Sequence, residues 1–282
     1  MARLPLPVAT GAALVVSDVL YHLRPDVRAT AARNLERVLR ARGDRIDPAV
    51  LRRVTRQSFH SYGRYWAEGA VLPSIPLDQV VRRIQVVEGR EHLDAAMASG
   101  RGVVMALPHV GSWEWGGAYL AAIGYPMTSV AERVDPPELF QWFIDERRAM
   151  GLEIVPLDGD TGVLLRTLRS GGLVGLLCDR DIQGNGVEVE LFGEPTTVPA
   201  GPATLALRTG AVLIAAVVYS GPGRDHTARV SAPIDTERQG RLRDDVQRVS
   251  QAVTTQLETF IAGAPEQWYV FQPNWSADRT GS

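Results

Sequence analysis

The 282-residue sequence predicts an α/β fold: a central, mostly parallel β-sheet flanked by helices, with an N-terminal helical cap. Three observations carry this. Short apolar runs alternate with helical segments from Gly89 onward, the first 88 residues show helical periodicity instead, and no Pro-, Gly- or Ser-rich linker divides the chain. Strands separated by helices of this length indicate parallel pairing with both faces covered, and ligands of such sheets gather at the carboxyl ends of the strands. An apolar fraction of 45% with 22% charged residues fits an ordinary globular domain over 1–282, comprising a cap (1–88) and an α/β core (89–282).

In the cap, "DVRATAARNLERVLRAR" places Val27, Ala31, Leu35 and Val38 on one helical face, and "PAVLRRVTRQSFHSYGRYWAEGAVL" repeats the pattern through Leu51, Val54, Ser58, Tyr62 and Trp66. Pro48 suits a first helical turn and Gly43 the end of the helix before it. The apolar stretch Leu4 to Val19 is interrupted by Pro5 and Pro7 and ended by Asp18, short of the ~18 apolar residues a membrane span needs. It does not read as a cleavable signal either. Net charge is −2, yet eleven arginines fall between residues 24 and 64, a basic surface suited on charge alone to anionic lipid or nucleic acid, or simply a solvated face. No zinc-finger or RNA-binding signature accompanies it, so nucleic acid is not an expected partner.

In the core, "GVVMALP", "MTSVAE", "LEIVPL", "LVGLLCD", "VEVELF", "VLIAAVVY" and "ARVSAP" read as strands. Helices are expected near 112–123, 136–149, 162–170, 201–210 and 238–262, the second with an apolar face of Leu139, Trp142 and Phe143.

The chemistry-bearing residues follow these strands. His109 leaves "VVMALP", and Ser112 is placed to cap the next helix with its side chain. Glu114, five positions after His109, then lies in the first turn, where the helix dipole favours a carboxylate by ~0.3–1 kcal/mol. Such an acid can orient an imidazole and leave its other nitrogen as a base, although a strand-end histidine beside a capping acid is also a common structural corner. Asp179, Arg180 and Asp181 in "LLCDRD" leave a second strand, and if the two strands are neighbours Asp179 meets His109 on the same sheet edge. Glu132 and Arg133 leave a third, while Arg147 and Arg148 on the following helix could grip phosphate or stay exposed.

Several chemistries are excluded. The chain has no lysine, hence no Schiff base or P-loop lysine, and it lacks both a dinucleotide fingerprint and a G-x-S-x-G elbow. Its five histidines lack metal-ligand spacing, so no metal is expected, and Cys178, the single cysteine, reads as core.

Taken in order, "RNLERVLR", "YGRYWAEG", "GRGVVMALPHVGSWEWGG", "SVAERV", "ERRAMGLEIVPL", "CDRD", "GVEVELFGEPTTVPAGPATLALRTGA" and "PEQWYVFQPNW" resemble the bacterial lysophospholipid-type acyltransferases of the lipid A biosynthesis superfamily. Within that group the resemblance is closest to the actinobacterial members that acylate phosphatidylinositol mannosides. It implies a glycerol-3-phosphate-acyltransferase-like sheet and transfer of a palmitoyl-like chain from acyl-CoA to a mannose hydroxyl of mannosylated phosphatidylinositol. Acyl-CoA is then a co-substrate, with no cofactor, and the protein is peripheral on an anionic membrane at the cytoplasmic face of the plasma membrane. The resemblance makes His109 the base, with Glu114 and Asp179 beside it, and puts Glu132 and Arg147, with Arg180 and Asp181, at the substrate. Where mycobacterial members read Asp and Glu, this chain has Glu114 and Asp179, leaving open which acid holds His109. Backbone amides near Gly111–Trp113 are candidates for the oxyanion site. The alternatives are another glycolipid or lysophospholipid acceptor, a non-enzymatic lipid-binding protein, and a hydrolase.

Overall fold

The computed structural model describes residues 6–160, 162–223 and 225–279. The cap is three helices, α1 (Leu6–Leu23), α2 (Pro25–Ala41) and α3 (Pro48–Val71). Proline opens α2 and α3, the Asp47 side chain accepts the amides of Ala49 and Val50, and Gly43 takes a positive φ of 76° just past α2. Of the apolar stretch Leu4 to Val19, residues 4 and 5 lie outside the described residues and the rest belongs to α1. Helix α1 runs back along α3: Tyr21 meets Phe59, Asp18 meets Arg56 and His60, and Ser17 meets Gly63. A Cβ at Gly63 would lie 2.1 Å from the Ser17 hydroxyl, so this close crossing needs glycine. Among the described residues no helix is long and apolar enough to cross a membrane.

A short helix α4 (Leu77–Arg83) runs straight into β1 (Ile84–Glu88), followed by α5 (Arg90–Ala98). The helical texture expected up to residue 88 thus stops at 83, and residues 84–88 are a strand of the central sheet. Its apolar–polar pattern is too short to mark it, and only pairing with a strand about 140 residues later in the chain makes it one.

The core continues through β2 (Val103–Leu107), α6 (Trp113–Ala122), β3 (Met127–Ala131), α7 (Pro137–Ala149), β4 (Glu153–Pro156), α8 (Gly162–Arg169) and β5 (Leu173–Leu177). It then forms β6 (Val187–Leu191), β7 (Glu194–Val198), α9 (Gly201–Thr209), β8 (Val212–Ser220), β9 (His226–Val230), α10 (Leu242–Gly263) and α11 (Ser276–Arg279). The seven-stranded sheet has the order β1-β9-β8-β2-β5-β3-β4. All its pairings are parallel except β8 with β9, which confirms the mostly parallel α/β architecture.

Two elements depart from expectation. "VEVELF" is a strand, but it pairs antiparallel with β7 as a separate hairpin beside α10. Pro195 masks β7 in the sequence, because proline is tolerated only on strands with a free edge. In α7 the buried residues are Phe140 and Ile144, while Leu139 and Trp142 are exposed, since the helix packs on β4 by the other side of its stripe.

Alternation along the central strands builds two cores. Val104 and Ala106 of β2 join Leu213, Ala215 and Val217 of β8 under α9 and α10, whereas Val103, Met105 and Leu107 join Ile214, Ala216 and Val218 under α6. Leu173 is fully buried and sits between Val103 and Met127 on adjacent strands. Leu173→Ala should lower the free energy of unfolding by about 2–5 kcal/mol. Val87→Ala on the exposed edge should change it by no more than about 0.5 kcal/mol. Urea melts of both variants check the pair.

Candidate active site

Strands β2 and β5 are adjacent and in register, with Leu107 opposite Leu177, so the residues two positions beyond each rung, His109 and Asp179, emerge side by side. The backbone amide of Cys178 donates to the Leu107 carbonyl and carries the ladder one step further. The imidazole Nδ1 of His109 lies 2.5 Å from Asp179 Oδ1. Asp179 Oδ2 accepts the His109 amide at 2.9 Å and the Trp268 indole N–H at 2.7 Å. The carboxylate is wholly buried, yet the His109 side chain keeps 16% of its surface exposed.

Burial alone would raise the Asp179 pKa. Attraction to His109 and the three N–H donors outweigh it, and the carboxyl is held below its ordinary value. A carboxylate acceptor at Nδ1 selects the tautomer with its proton there and leaves Nε2 with the ring's lone pair.

The carboxy-terminal segment locks this arrangement. The Tyr269 amide donates to the His109 carbonyl at 2.9 Å, Val110 bridges to Trp268, and Asn274 Nδ2 donates to the Asp179 carbonyl at 3.2 Å. Sequence reasoning placed no role on Trp268, Tyr269 or Asn274; the run of aromatic residues in "PEQWYVFQPNW" was the available signal.

Glu114 does not touch His109. Its Oε1 accepts Arg147 Nη2 at 2.6 Å and the Tyr65 hydroxyl at 3.0 Å, so it binds α6 to α7 and α3. Trp113 separates the two groups, with its ring 5.7 Å from that of His109 and 4.3 Å from that of Tyr65. Five positions along the chain say nothing of direction; a first-turn side chain of α6 points at the cap. Arg147 is therefore engaged with Glu114, and burial together with that carboxylate keeps the Tyr65 phenol protonated and donating.

Ser112 occupies the N-cap position of α6 without a side-chain capping bond. Its hydroxyl instead donates to buried Glu68 Oε2 at 3.1 Å and meets Ser220 Oγ at 2.9 Å. Arg64 Nε holds the other Glu68 oxygen at 2.6 Å. Two of the candidate oxyanion amides are also engaged, Gly111 N with the Gln267 carbonyl at 3.0 Å and Ser112 N with the Val218 carbonyl at 2.8 Å. The amide of Trp113, at the first position of α6, remains.

Arg180 donates to Gln272 Oε1 at 2.8 Å and has a long contact of 3.8 Å with half-exposed Glu132. Asp181 accepts the amides of Gly184 and Gly186, shaping the loop after β5. Burial pushes the buried Cys178 thiol pKa up, away from nucleophile chemistry. No cluster suited to a metal occurs among the described residues.

Beside His109 opens an apolar cavity with about 560 Å³ of unfilled space, counting its mouth. Its lining includes Pro108, Val110 and Trp113 together with Met105, Ala216 and Ile84. A Cβ on Gly116 would come within 2.8 Å of Val218, so glycine keeps α6 close to the sheet here.

The sequence profile of the bacterial lipid A biosynthesis acyltransferase family matches residues 1–277. The phosphatidylinositol mannoside acyltransferase of Mycobacterium tuberculosis is 40% identical over 230 residues, 80% of this chain and 71% of that one. Its namesake in Mycolicibacterium smegmatis is 37% identical over 227 residues, 79% of this chain and 72% of that one. A lipid A biosynthesis acyltransferase of Haemophilus influenzae is 26% identical over 182 residues, 64% and 55% of the two chains.

Because the folded Asp179 pKa lies below the unfolded value of about 3.9, its contribution to stability is complete above that pH and is lost as pH falls through the folded value. Asp179→Asn should flatten the acid limb of the stability curve. Urea midpoints from about pH 3 to 6 check this, and an unaltered limb would refute the pairing as its cause.

Proposed function

The chain belongs to the bacterial lipid A biosynthesis acyltransferase family, and from that membership we propose that it transfers a long, palmitoyl-like acyl group from acyl-CoA to a mannose hydroxyl of a phosphatidylinositol mannoside. The observation that carries this reading is the His109–Asp179 pair next to an apolar cavity lined by the chain neighbours of His109, Pro108 and Val110. An acyl chain gains about 0.8 kcal/mol per buried methylene, so an apolar cavity beside a base suits a fatty acyl donor. The names of the mycobacterial relatives supply the acceptor.

In the proposed reaction, His109 Nε2 takes the proton of the sugar hydroxyl as its oxygen attacks the thioester carbonyl. Asp179 stabilises the resulting imidazolium without itself accepting the proton. The carbon–sulfur bond breaks as the carbon–oxygen ester forms. The thiol, with a pKa near ~8.5, departs as thiolate and takes up the proton from His109 or from water. The Trp113 amide is the donor available for the oxyanion. Glu114 and Arg147 hold the α6–α7 corner next to the base, and Glu132 with Arg180 offer polar groups to the acceptor headgroup. The arginine-rich cap supports the reading of a peripheral enzyme, placed here on the cytoplasmic leaflet.

Mass spectrometry of the product from palmitoyl-CoA and purified mannosylated phosphatidylinositol tests the reading. His109→Ala should lower transfer by at least about 10²–10⁴-fold; because it also takes the donor from buried Asp179 Oδ1, the melting temperature should fall, and circular dichroism at the assay temperature checks that the variant is still folded. Fatty acid released at a rate independent of acceptor would establish a hydrolase instead. Ala216→Leu, which adds bulk to the cavity wall, should shift donor preference from palmitoyl-CoA towards decanoyl-CoA in a competition assay.

A further inference from the structure

On the solvent side of α1, Val15, Val16, Val19, Leu20 and Leu23 are 46–70% exposed and follow one another at i, i+1, i+4, i+5 and i+8, a continuous apolar stripe. Stripes of this kind on a soluble surface mark contact sites. Immediately beside it, α3 repeats the same spacing with polar residues: Arg52, Arg53, Arg56, Gln57 and His60 line an open groove closed by Tyr21 of α1, with about 740 Å³ of empty space counting its mouth.

The charge of the groove is unbalanced. Asp18 is its acid, and that carboxylate is already taken by Arg56, through two bonds of 2.8 Å, and by His60 Nε2 at 2.6 Å. Arg52 and Arg53 are exposed, and the carboxylate that attracts them is Asp47, whose pKa they help to lower. Asp47, at the start of the same helix, uses its Oδ1 on the amides of Ala49 and Val50. With Asp18 and Asp47 both already engaged, the arginines lining the groove outnumber the acids beside it, next to an aliphatic surface. From Arg56 to Tyr65, the residue of α3 that reaches the catalytic corner, is nine residues, or about 13 Å along the helix, so the groove is separate from the cavity beside His109.

We propose that this groove binds the phosphodiester of an anionic phospholipid that is not the substrate, while the α1 stripe lies at the boundary of headgroups and acyl chains. The inference rests on the membrane-peripheral reading above and gives it a defined binding site. Arginine forks match phosphate oxygens bidentately, and Gln57 adds a further hydrogen-bonding group. An amphipathic helix resting on a bilayer buries its apolar face about 5–10 Å deep, which brings flanking basic groups to phosphate level. A polynucleotide would satisfy the arginines but leave the aliphatic stripe in water; a bilayer satisfies both. At the other end of α3, half-exposed Trp66 and, on α7, Trp142 flank Phe143, rings suited to the same interfacial depth close to the catalytic mouth.

The test is co-sedimentation of the full chain with vesicles of phosphatidylcholine alone or containing about one-fifth phosphatidylinositol. Two double variants of equal charge change are compared, Arg52→Ala/Arg53→Ala in the groove and Arg33→Ala/Arg45→Ala elsewhere on the cap, with melting temperatures to confirm folding. The expected result is that phosphatidylinositol strengthens binding and that the groove variant loses affinity by about ten-fold or more, against three-fold or less for the control pair. Equal losses in both variants would overturn the groove as a site and leave membrane binding intact as a diffuse electrostatic effect. Binding indifferent to phosphatidylinositol would overturn the phosphodiester as ligand, and a wild-type chain that ignores both vesicles would overturn the membrane reading as well.

Discussion

A carboxylate shut away from water must be answered inside the protein, and Asp179 is the group around which the rest of the site is arranged. Left unpaired it would cost several kcal/mol, so each oxygen needs a donor in place before the fold is complete. The donors come from residues 70 and 89 positions away in the chain, His109 and Trp268, and a further bond from Asn274 secures its backbone. That requirement ties three things together. Strands β2 and β5 must be neighbours in register, the turn after β2 must present both the amide and the imidazole of His109, and the carboxy-terminal segment must lie across the strand ends.

The two acids near His109 divide the work by direction. Asp179 faces the imidazole, while Glu114 faces Arg147 and Tyr65 and joins three helices. The Trp113 ring packs on both His109 and Tyr65, the partner of Glu114. Beneath this corner, Glu68 links α3 to Ser112 and through it to Ser220 of β8. Burial raises the Glu68 pKa, while His226 beside it is pushed down to about 3 by burial and the nearby Arg64 and Arg83. His226 therefore stays neutral, packed on Trp115 with ring centroids 4.4 Å apart. The helical cap is in this way part of the site's foundation rather than an appendage.

Apolar and polar groups near His109 belong to different elements. The cavity lined by Pro108 and Val110 is walled mainly by aliphatic and aromatic side chains, whereas Arg180, which follows Asp179, bonds to Gln272 and contacts Glu132. Such a division suits the proposed transfer from an apolar donor chain to a polar acceptor.

Much was legible in the sequence because it is local. Alternating apolar runs and helices imply the layered sheet, helical spacing with prolines and Asp47 marks the cap, and "ALPH" and "LLCD" each place a polar residue just past a buried strand. What could not be read depends on pairing between distant segments. Strand β1 and the β6–β7 hairpin exist only through their partners, α7 turns its Phe140 side inward because of what it packs on, and the Ser112 hydroxyl serves Glu68 because that buried acid needs a donor. The sequence by itself determined which residues lie at strand ends and helix starts, since hydrophobic period and turn chemistry act over a few residues. Which acid meets His109 was decided only by tertiary structure, since the direction of a side chain follows from the element that carries it and from the register of β2 against β5.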